Sequence, residues 1–251
     1  MIAGRGNPWG RFTLESTGVL DSTSDELWRR VGRGEARDGL ALLAEAQTAG
    51  RGRLGRTWAS PRGNLHLSLL RRVTEPPELA AAITLVAGVA LARAVSASTG
   101  LRPGLKWPND LVVRGRKLAG ILTEGAGPWQ VIGVGLNATT TLTELPRELH
   151  DLATTLRDEA GEAAPEPAVL AGAFLAEFAA GEALFLARGG LDVEAFETFW
   201  IDRGRPVRSW QGTEPLDGVA TEVTPLGVLR VRDAAGRLHD IRSGELLHRL
   251  P

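Results

Sequence analysis

The sequence predicts a mixed α/β domain followed by a small antiparallel β-barrel, and three observations carry that prediction. Strand-length and helix-length segments follow one another from Phe12 to Trp200. At Gly204 the character changes, and short alternating segments separated by turns fill the remaining residues. Between two apolar stretches, Leu40 to Ala44 and Leu65 to Leu69, lies Gly50 to Trp58, GRGRLGRTW, with three glycines and three arginines. Such a loop permits sharp bends beside a ligand and brings permanent positive charge to it, which suits phosphate or carboxylate groups. Arginine-glycine runs also occur in disordered RNA-binding tails, but the apolar flanks make this one a loop inside a fold.

The first strand, Phe12 to Leu20, leads into Asp21-Ser22-Thr23-Ser24-Asp25-Glu26. Thr23 and Glu26 have capping-box spacing, so Asp25 to Val31 is predicted helical, with Ser22 and Thr23 at its N-terminus, where capping by itself accounts for them. The strand Leu40 to Glu45 delivers Gln47 to the mouth of the arginine loop, and Leu65 to Leu70 follows as the next strand. Pro76-Pro77-Glu78 opens a helix that reaches about Ser98, and its all-round apolar surface predicts burial. A short strand and tight turn occupy Leu105 to Asp110, and strands are predicted at Leu111 to Val113, Lys117 to Glu124 and Gln130 to Leu136, with Asn137 at a strand end. Pro146 to Pro167 reads as a looser region, and Val169 to Leu186 and Val193 to Trp200 as helices. Five strands are predicted beyond Gly204: Val207 to Trp210, Leu216 to Val223, Val228 to Val231, Leu238 to Ile241 and Glu245 to Leu247. The predicted division is therefore 1–203 and 204–251.

Composition narrows the function classes. A formal net charge of -1 argues against a surface built wholly for nucleic acid, so the arginine loop is a local site. With no cysteine there is no disulfide, thiolate metal site or thiol nucleophile, and the four histidines show no metal-ligand spacing. The N-terminus lacks a signal-like apolar segment and no later apolar run is read as membrane-spanning, so a cytoplasmic protein without a membrane partner is expected. Of 29 basic residues only Lys106 and Lys117 are lysine. A compact ammonium differs from a planar guanidinium, so these two positions are candidates for chemistry that needs it, although chance suffices for Lys106.

GRGRLGRTW at Gly50 to Trp58, KWPND at Lys106 to Asp110, RKLAGIL at Arg116 to Leu122 and GVGLN at Gly133 to Asn137 occur together in this order. On these blocks the chain resembles the biotin protein ligases from about Asp21 onward. The resemblance implies a mixed-sheet catalytic domain of the biotin/lipoate ligase type followed by an SH3-like barrel. About twenty residues precede Asp21, where many bacterial members carry a winged helix-turn-helix, so a short form that binds no DNA is expected. Ser24 stands where the family commonly has asparagine, which implies a weaker ligand contact there.

The implied activity is ATP-dependent conversion of biotin to biotinyl-adenylate and transfer of biotin to a lysine of the biotin carboxyl carrier protein of acetyl-CoA carboxylase. Two anions must meet, so clustered cations are required, and magnesium arrives with the ATP phosphates, near Asn137. By resemblance, Lys117, Arg51 and Asp110 are the catalytic candidates. The implied biotin contacts are Ser22, Thr23, Ser24, Gln47, Gly50, Arg51, Gly52, Arg53, Lys117, Gly120 and Leu122. ATP and adenylate fall to Arg51, Arg53, Arg56, Trp58, Asn109, Lys117 and Asn137. Trp58 reads equally as a cover over the adenylate or as a core anchor of the loop, and Asp110 equally as a proton acceptor or as a turn residue. The readings that compete with biotin ligation are a lipoate protein ligase and a nucleic-acid-binding module, and a homodimer is compatible with either ligase.

Overall fold

The structure is a computed structural model that describes residues 8–211, 214–242, 244 and 246–248. Its larger layer is a seven-stranded sheet in the order β1-β2-β3-β7-β6-β5-β4. The strands are β1 (Thr13–Leu20), β2 (Leu40–Gln47), β3 (Leu65–Arg72), β4 (Gly104–Lys106), β5 (Asp110–Val113), β6 (Arg116–Ala126) and β7 (Trp129–Leu136). Only β1 and β2 run parallel, because helix α1 (Thr23–Gly32) makes the crossover between them; the other neighbours are antiparallel.

The sheet is covered on both faces, which explains the unbroken apolar run of β2. Leu40 and Leu42 join Leu27 of α1, Leu70 and Val131 in one cluster, while Ala41 and Leu43 point into the larger core on the other side. That core is filled by α3 (Ile83–Thr99) and α5 (Pro167–Arg188), which pack on each other and on the sheet. Both helical stretches, Pro77–Thr99 and Pro167–Arg188, are long and apolar enough to cross a membrane, which corrects the expectation that no run reaches that length. Their apolar surface goes instead into the core, with Phe174, Phe178 and Phe185 of α5 buried. A buried ionic cluster also ties α5 to β3: Arg71 donates to Glu182 at 2.8 Å and to Glu75 at 2.7 Å, the three side chains being 3% exposed or less.

Three local expectations need correction. Ser22, not Thr23, caps α1, its hydroxyl accepting from Asp25 N at 3.3 Å; Glu26 turns outward to Arg29, Arg30 and Arg33. The helix expected from Pro76 is broken at Ala81–Ala82 into α2 (Pro77–Ala80) and α3. The looser region holds α4 (Leu156–Ala160), whose cap Thr155 accepts from Asp158 N at 3.0 Å.

After α6 (Val193–Glu197) come β8 (Pro206–Gln211), β9 (Glu214–Val223), β10 (Leu229–Arg232), β11 (Leu238–Ile241) and β12 (Leu247–His248). They form an antiparallel sheet in the order β11-β10-β9-β8-β12. The expected barrel is thus an open sheet among the described residues, since β11 and β12 lie at its two edges without pairing. Part of the last predicted strand, Glu245, lies outside the described residues. The β9–β10 turn of this sheet is tied to the rest of the chain: Trp107 Nε1, after β4, donates to Gly227 O at 3.1 Å, and Leu191 N, between α5 and α6, donates to Pro225 O at 2.8 Å.

Candidate active site

A cleft of about 740 Å³ opens on the α1 face of the large sheet. Strand alternation decides where: Ser68 of β3, Gly133 and Gly135 of β7 and Gly120 and Leu122 of β6 fall on one face, and three of these five have no side chain. Beyond the end of α1 the sheet is therefore left bare.

One end of the cleft is a chain of polar groups, buried except for the half-buried Gln47. Ser24 Oγ lies 2.9 Å from Ser68 Oγ, which lies 2.7 Å from Thr23 Oγ1. Gln47 Oε1 accepts from Thr23 N at 2.8 Å and from Thr23 Oγ1 at 3.1 Å, while Gln47 Nε2 donates to Ser60 Oγ at 3.0 Å. Helix α1 holds Thr23 and Ser24 here because its first turn projects over β3 and β7. Ser60 and Ser68 were missed in the sequence, where isolated serines beside strands carry no signal. Ser68 nevertheless stands at an inward position of a strand otherwise leucine-rich, and that alternation could have found it.

The middle is roofed by Trp58. A Cβ on Gly135 would fall 2.4 Å from Trp58 Nε1, and one on Gly120, the cross-strand partner of Gly135, 3.4 Å from Trp58 Cζ3. The indole thus lies on the glycine floor. Its Nε1 is buried without a hydrogen-bond partner. Lys117 Nζ sits 5.6 Å from the centre of this ring and 2.7 Å from Asp110 Oδ1, a close ion pair outside hydrogen-bond alignment. Lys117 is fixed through its backbone, where N donates to Leu152 O at 2.8 Å and O accepts from Thr154 N at 2.9 Å. Asn137 locks the same segment, with Nδ2 donating to Thr154 O at 3.0 Å.

The arginine loop closes over this arrangement. Gly50 is demanded by close packing, since a Cβ there would fall 2.3 Å from Ser60 Oγ and 2.5 Å from Trp58 O. Gly52 N donates to Arg56 O at 2.7 Å, which folds the loop back on itself, with Leu54 at its exposed tip at φ 56°. Arg51 lines the cleft, but its charge is already engaged. Its guanidinium forks onto Glu124 of β6, with NH1 to Oε1 at 2.9 Å, and lies 3.0 Å from Asp25 of α1. Arg53 donates to Asn109 Oδ1 at 2.7 Å and to Gly244 O at 2.9 Å, joining the loop to the Lys106–Asp110 turn and to the smaller sheet. Asn109 Nδ2 in turn donates to Ile121 O at 3.0 Å. Arg56, Leu122, Gly52 and Ser22 also line the cleft, whereas Gly50 lies behind it.

The site therefore combines a polar recess, an apolar glycine-and-indole bed and several cations. A ligand with one polar ring, an apolar tail and an anionic end fits that order of groups.

Comparisons with known proteins agree with this geometry. Residues 17–137 match the biotin/lipoate A/B protein ligase family. The chain is 36% identical to a biotin--[acetyl-CoA-carboxylase] ligase of Mycobacterium tuberculosis, over 98% of this chain and 92% of that one. It is 34% identical to a biotin--[acetyl-CoA-carboxylase] ligase of Paracoccus denitrificans, over 78% and 85%. Among solved structures, a biotin protein ligase from Aquifex aeolicus in complex with biotin and ATP superposes with a TM-score of 0.82 at 28% identity, covering 94% of this chain and 98% of that one.

Proposed function

Given that the chain belongs to the biotin protein ligase family, we propose that it joins biotin to ATP as biotinyl-adenylate and passes the biotinyl group to a lysine of the biotin carboxyl carrier protein of acetyl-CoA carboxylase. The observation that carries this reading is the order of groups along the cleft: the Ser24–Ser68–Thr23–Gln47–Ser60 chain at one end, and Lys117 beneath Trp58 beyond it. The hydroxyls and amide receive the ureido ring, whose donors and acceptors match such a mixed set. The valeryl tail runs along the strip at Gly120 and Gly135 and its carboxylate ends at Lys117, which requires the Trp58 indole to lift from that strip and close over the bound ligand.

In the first step a biotin carboxylate oxygen attacks the α-phosphorus of magnesium-bound ATP, magnesium being part of the substrate, and pyrophosphate leaves with the electron pair of the broken P–O bond. Lys117 holds the two anions together, which requires it to exchange Asp110 for substrate oxygens. Arg51, Arg53 and Arg56 cover the nucleotide, and Trp58 excludes water from the mixed anhydride. In the second step a carrier lysine attacks the acyl carbon, AMP departs, and the Asp110 carboxylate, freed from Lys117, takes the ammonium proton. The proposed domains are 1–203 for this chemistry and 204–251 for the smaller sheet, in a cytoplasmic enzyme.

Incubation with magnesium, ATP and either biotin or lipoate tests the assignment, with mass spectrometry of the acyl-adenylate as readout. Biotin should yield the adenylate and lipoate should not, because the polar recess would be left without partners by a dithiolane ring. Equal turnover of the two acids would remove the biotin assignment.

A further inference from the structure

The structure binds almost every cation of the cleft to a neighbour. Arg51 is held by Glu124 and Asp25, Lys117 by Asp110, and Arg53 by Asn109 and Gly244 O. Two cleft-lining cations are different. The side chains of Lys106 and Arg205 have no ion-pair or hydrogen-bond partner among the described residues. Lys106 is the other of the chain's two lysines, and the adenylation chemistry derived above gives it no task.

Lys106 ends β4 and Arg205 stands in the turn before β8, and one buried residue ties both backbone positions down. Asp202 is 0% exposed, and its Oδ2 accepts from Trp107 N and from Trp200 Nε1, both at 2.8 Å. Residues 199–201 also pair with the edge strand β4, Leu105 N donating to Phe199 O at 2.7 Å and Ile201 N to Leu105 O at 3.0 Å. Lys106 lies between these anchored neighbours, at the end of β4. On the other arm, Arg205 N donates to Asp202 O at 2.9 Å, closing a tight turn, and Arg205 O accepts from Ala220 N of the smaller sheet at 3.1 Å. Backbone on both sides of Asp202 is thus fixed, and both cations face the cleft at the β4 edge, the opposite end of the sheet from the polar recess on α1 and β2.

We infer that Lys106 and Arg205 form a subsite for the departing pyrophosphate, Lys106 supplied by the Lys106–Asp110 turn and Arg205 by the entry to the smaller sheet. Unpaired cations held at a cleft wall favour a polyanion, and leaving-group charge grows on the β-phosphate as the bond to the α-phosphorus breaks. Lys117 works at the α-phosphorus; Lys106 and Arg205 take the other product of the same bond cleavage. The smaller sheet thereby becomes part of the nucleotide site. This inference extends the adenylation reading, but its test does not require biotin.

Isothermal titration of the full chain with magnesium pyrophosphate, and separately with AMP, tests it. Lys106→Gln and Arg205→Gln should each weaken pyrophosphate binding about tenfold while AMP affinity stays within about twofold. Arg203→Gln is the control: Arg203 stands in the same turn but pairs outward with Glu197 at 2.8 Å, and its loss should change neither affinity. Melting curves report whether each variant folds; Arg205 is exposed, so its variant tests the subsite even if the half-buried Lys106 position is less tolerant. Pyrophosphate affinity unchanged in both variants, affinity for pyrophosphate and AMP lost in parallel, or a parent chain that binds no pyrophosphate would each overturn the subsite. A chain that binds pyrophosphate through these residues yet forms no biotinyl-adenylate would overturn the biotin reading and leave the subsite standing.

Discussion

Lys117 shows what one residue contributes and what its surroundings demand of it. Its ammonium is 2.7 Å from Asp110 and packs under the Trp58 ring, and the Cβ that Gly120 lacks would lie 3.3 Å from Lys117 Cε. A planar guanidinium is wider and places its charge farther out, so Lys117→Arg keeps the charge but misplaces it against the two oxygens that the proposed adenylation brings to it. Single-turnover adenylate formation at saturating biotin and ATP should fall about a hundredfold, the scale expected for a misplacement near 1 Å, while the melting curve barely moves. A folded variant running at the parental rate would mean that lysine at this position is incidental.

At the scale of an element, the arginine loop is strapped to the body by its own charge. Arg51 reaches from the loop to α1 and β6, and both carboxylates that it meets are partly exposed, so the strap contributes about 0.2–1 kcal/mol. Glu124→Gln should raise amide hydrogen exchange across residues 50–57 by up to about fivefold and leave the exchange of β3 and β7 unchanged. Equal exchange in parent and variant would show that backbone hydrogen bonds such as Trp58 N to Gly50 O suffice to hold the loop. Strand β3 carries a different sensitivity. His66 is 1% exposed, its Nε2 lies 2.9 Å from Pro61 O, and its Nδ1 has no partner. Burial pushes the imidazole below its ordinary value, because a second proton would leave Nδ1–H without an acceptor. The unfolded chain then binds more protons than the folded one below about pH 6.5, so this contribution is complete above that pH and declines as acid is added. Urea denaturation should show stability falling from about pH 6.5 downward, before the carboxylates titrate, and His66→Gln should flatten that part of the profile. A profile flat from pH 7 to 5 in the parent would contradict it.

For the whole molecule, the joint between the two sheets is the decisive feature. Asp202 is buried and satisfies two donors, Trp107 N and Trp200 Nε1, while Trp107 reaches Gly227 O in the smaller sheet. Asp202→Ala leaves both donors buried and unpaired, at a cost of about 3 kcal/mol, so the melting temperature should drop by roughly 6–12 °C. Asp202→Asn keeps one acceptor oxygen and should lose less. Equal melting temperatures for parent and alanine variant would mean that the joint is held by apolar packing.

The resemblance motifs were legible because each is a contiguous run whose residue types are set by local geometry. Gly50 and Gly120 are expected where backbone comes close to a ligand; the structure shows protein neighbours there instead, Ser60 against Gly50 and Trp58 against Gly120 and also against Gly135. The strands were legible too, because alternation and apolar runs reflect burial on one face or on both, as Leu40 to Ala44 does. The cap shifted from Thr23 to Ser22 because Thr23 is drawn to Gln47 and Ser68, partners 24 and 45 residues away that local spacing cannot reveal. Ser60, Glu124, Asp202 and Arg205 were illegible for the same reason, since each acts through a residue distant in sequence, whereas strand alternation marks Ser68. The sequence by itself determined where cations and glycines gather and which segments pair into sheets, because both follow from local composition and period. Tertiary structure decided which cations are already neutralised, which remain open in the cleft, and how the smaller sheet reaches it, because these depend on distances between segments that no local pattern encodes.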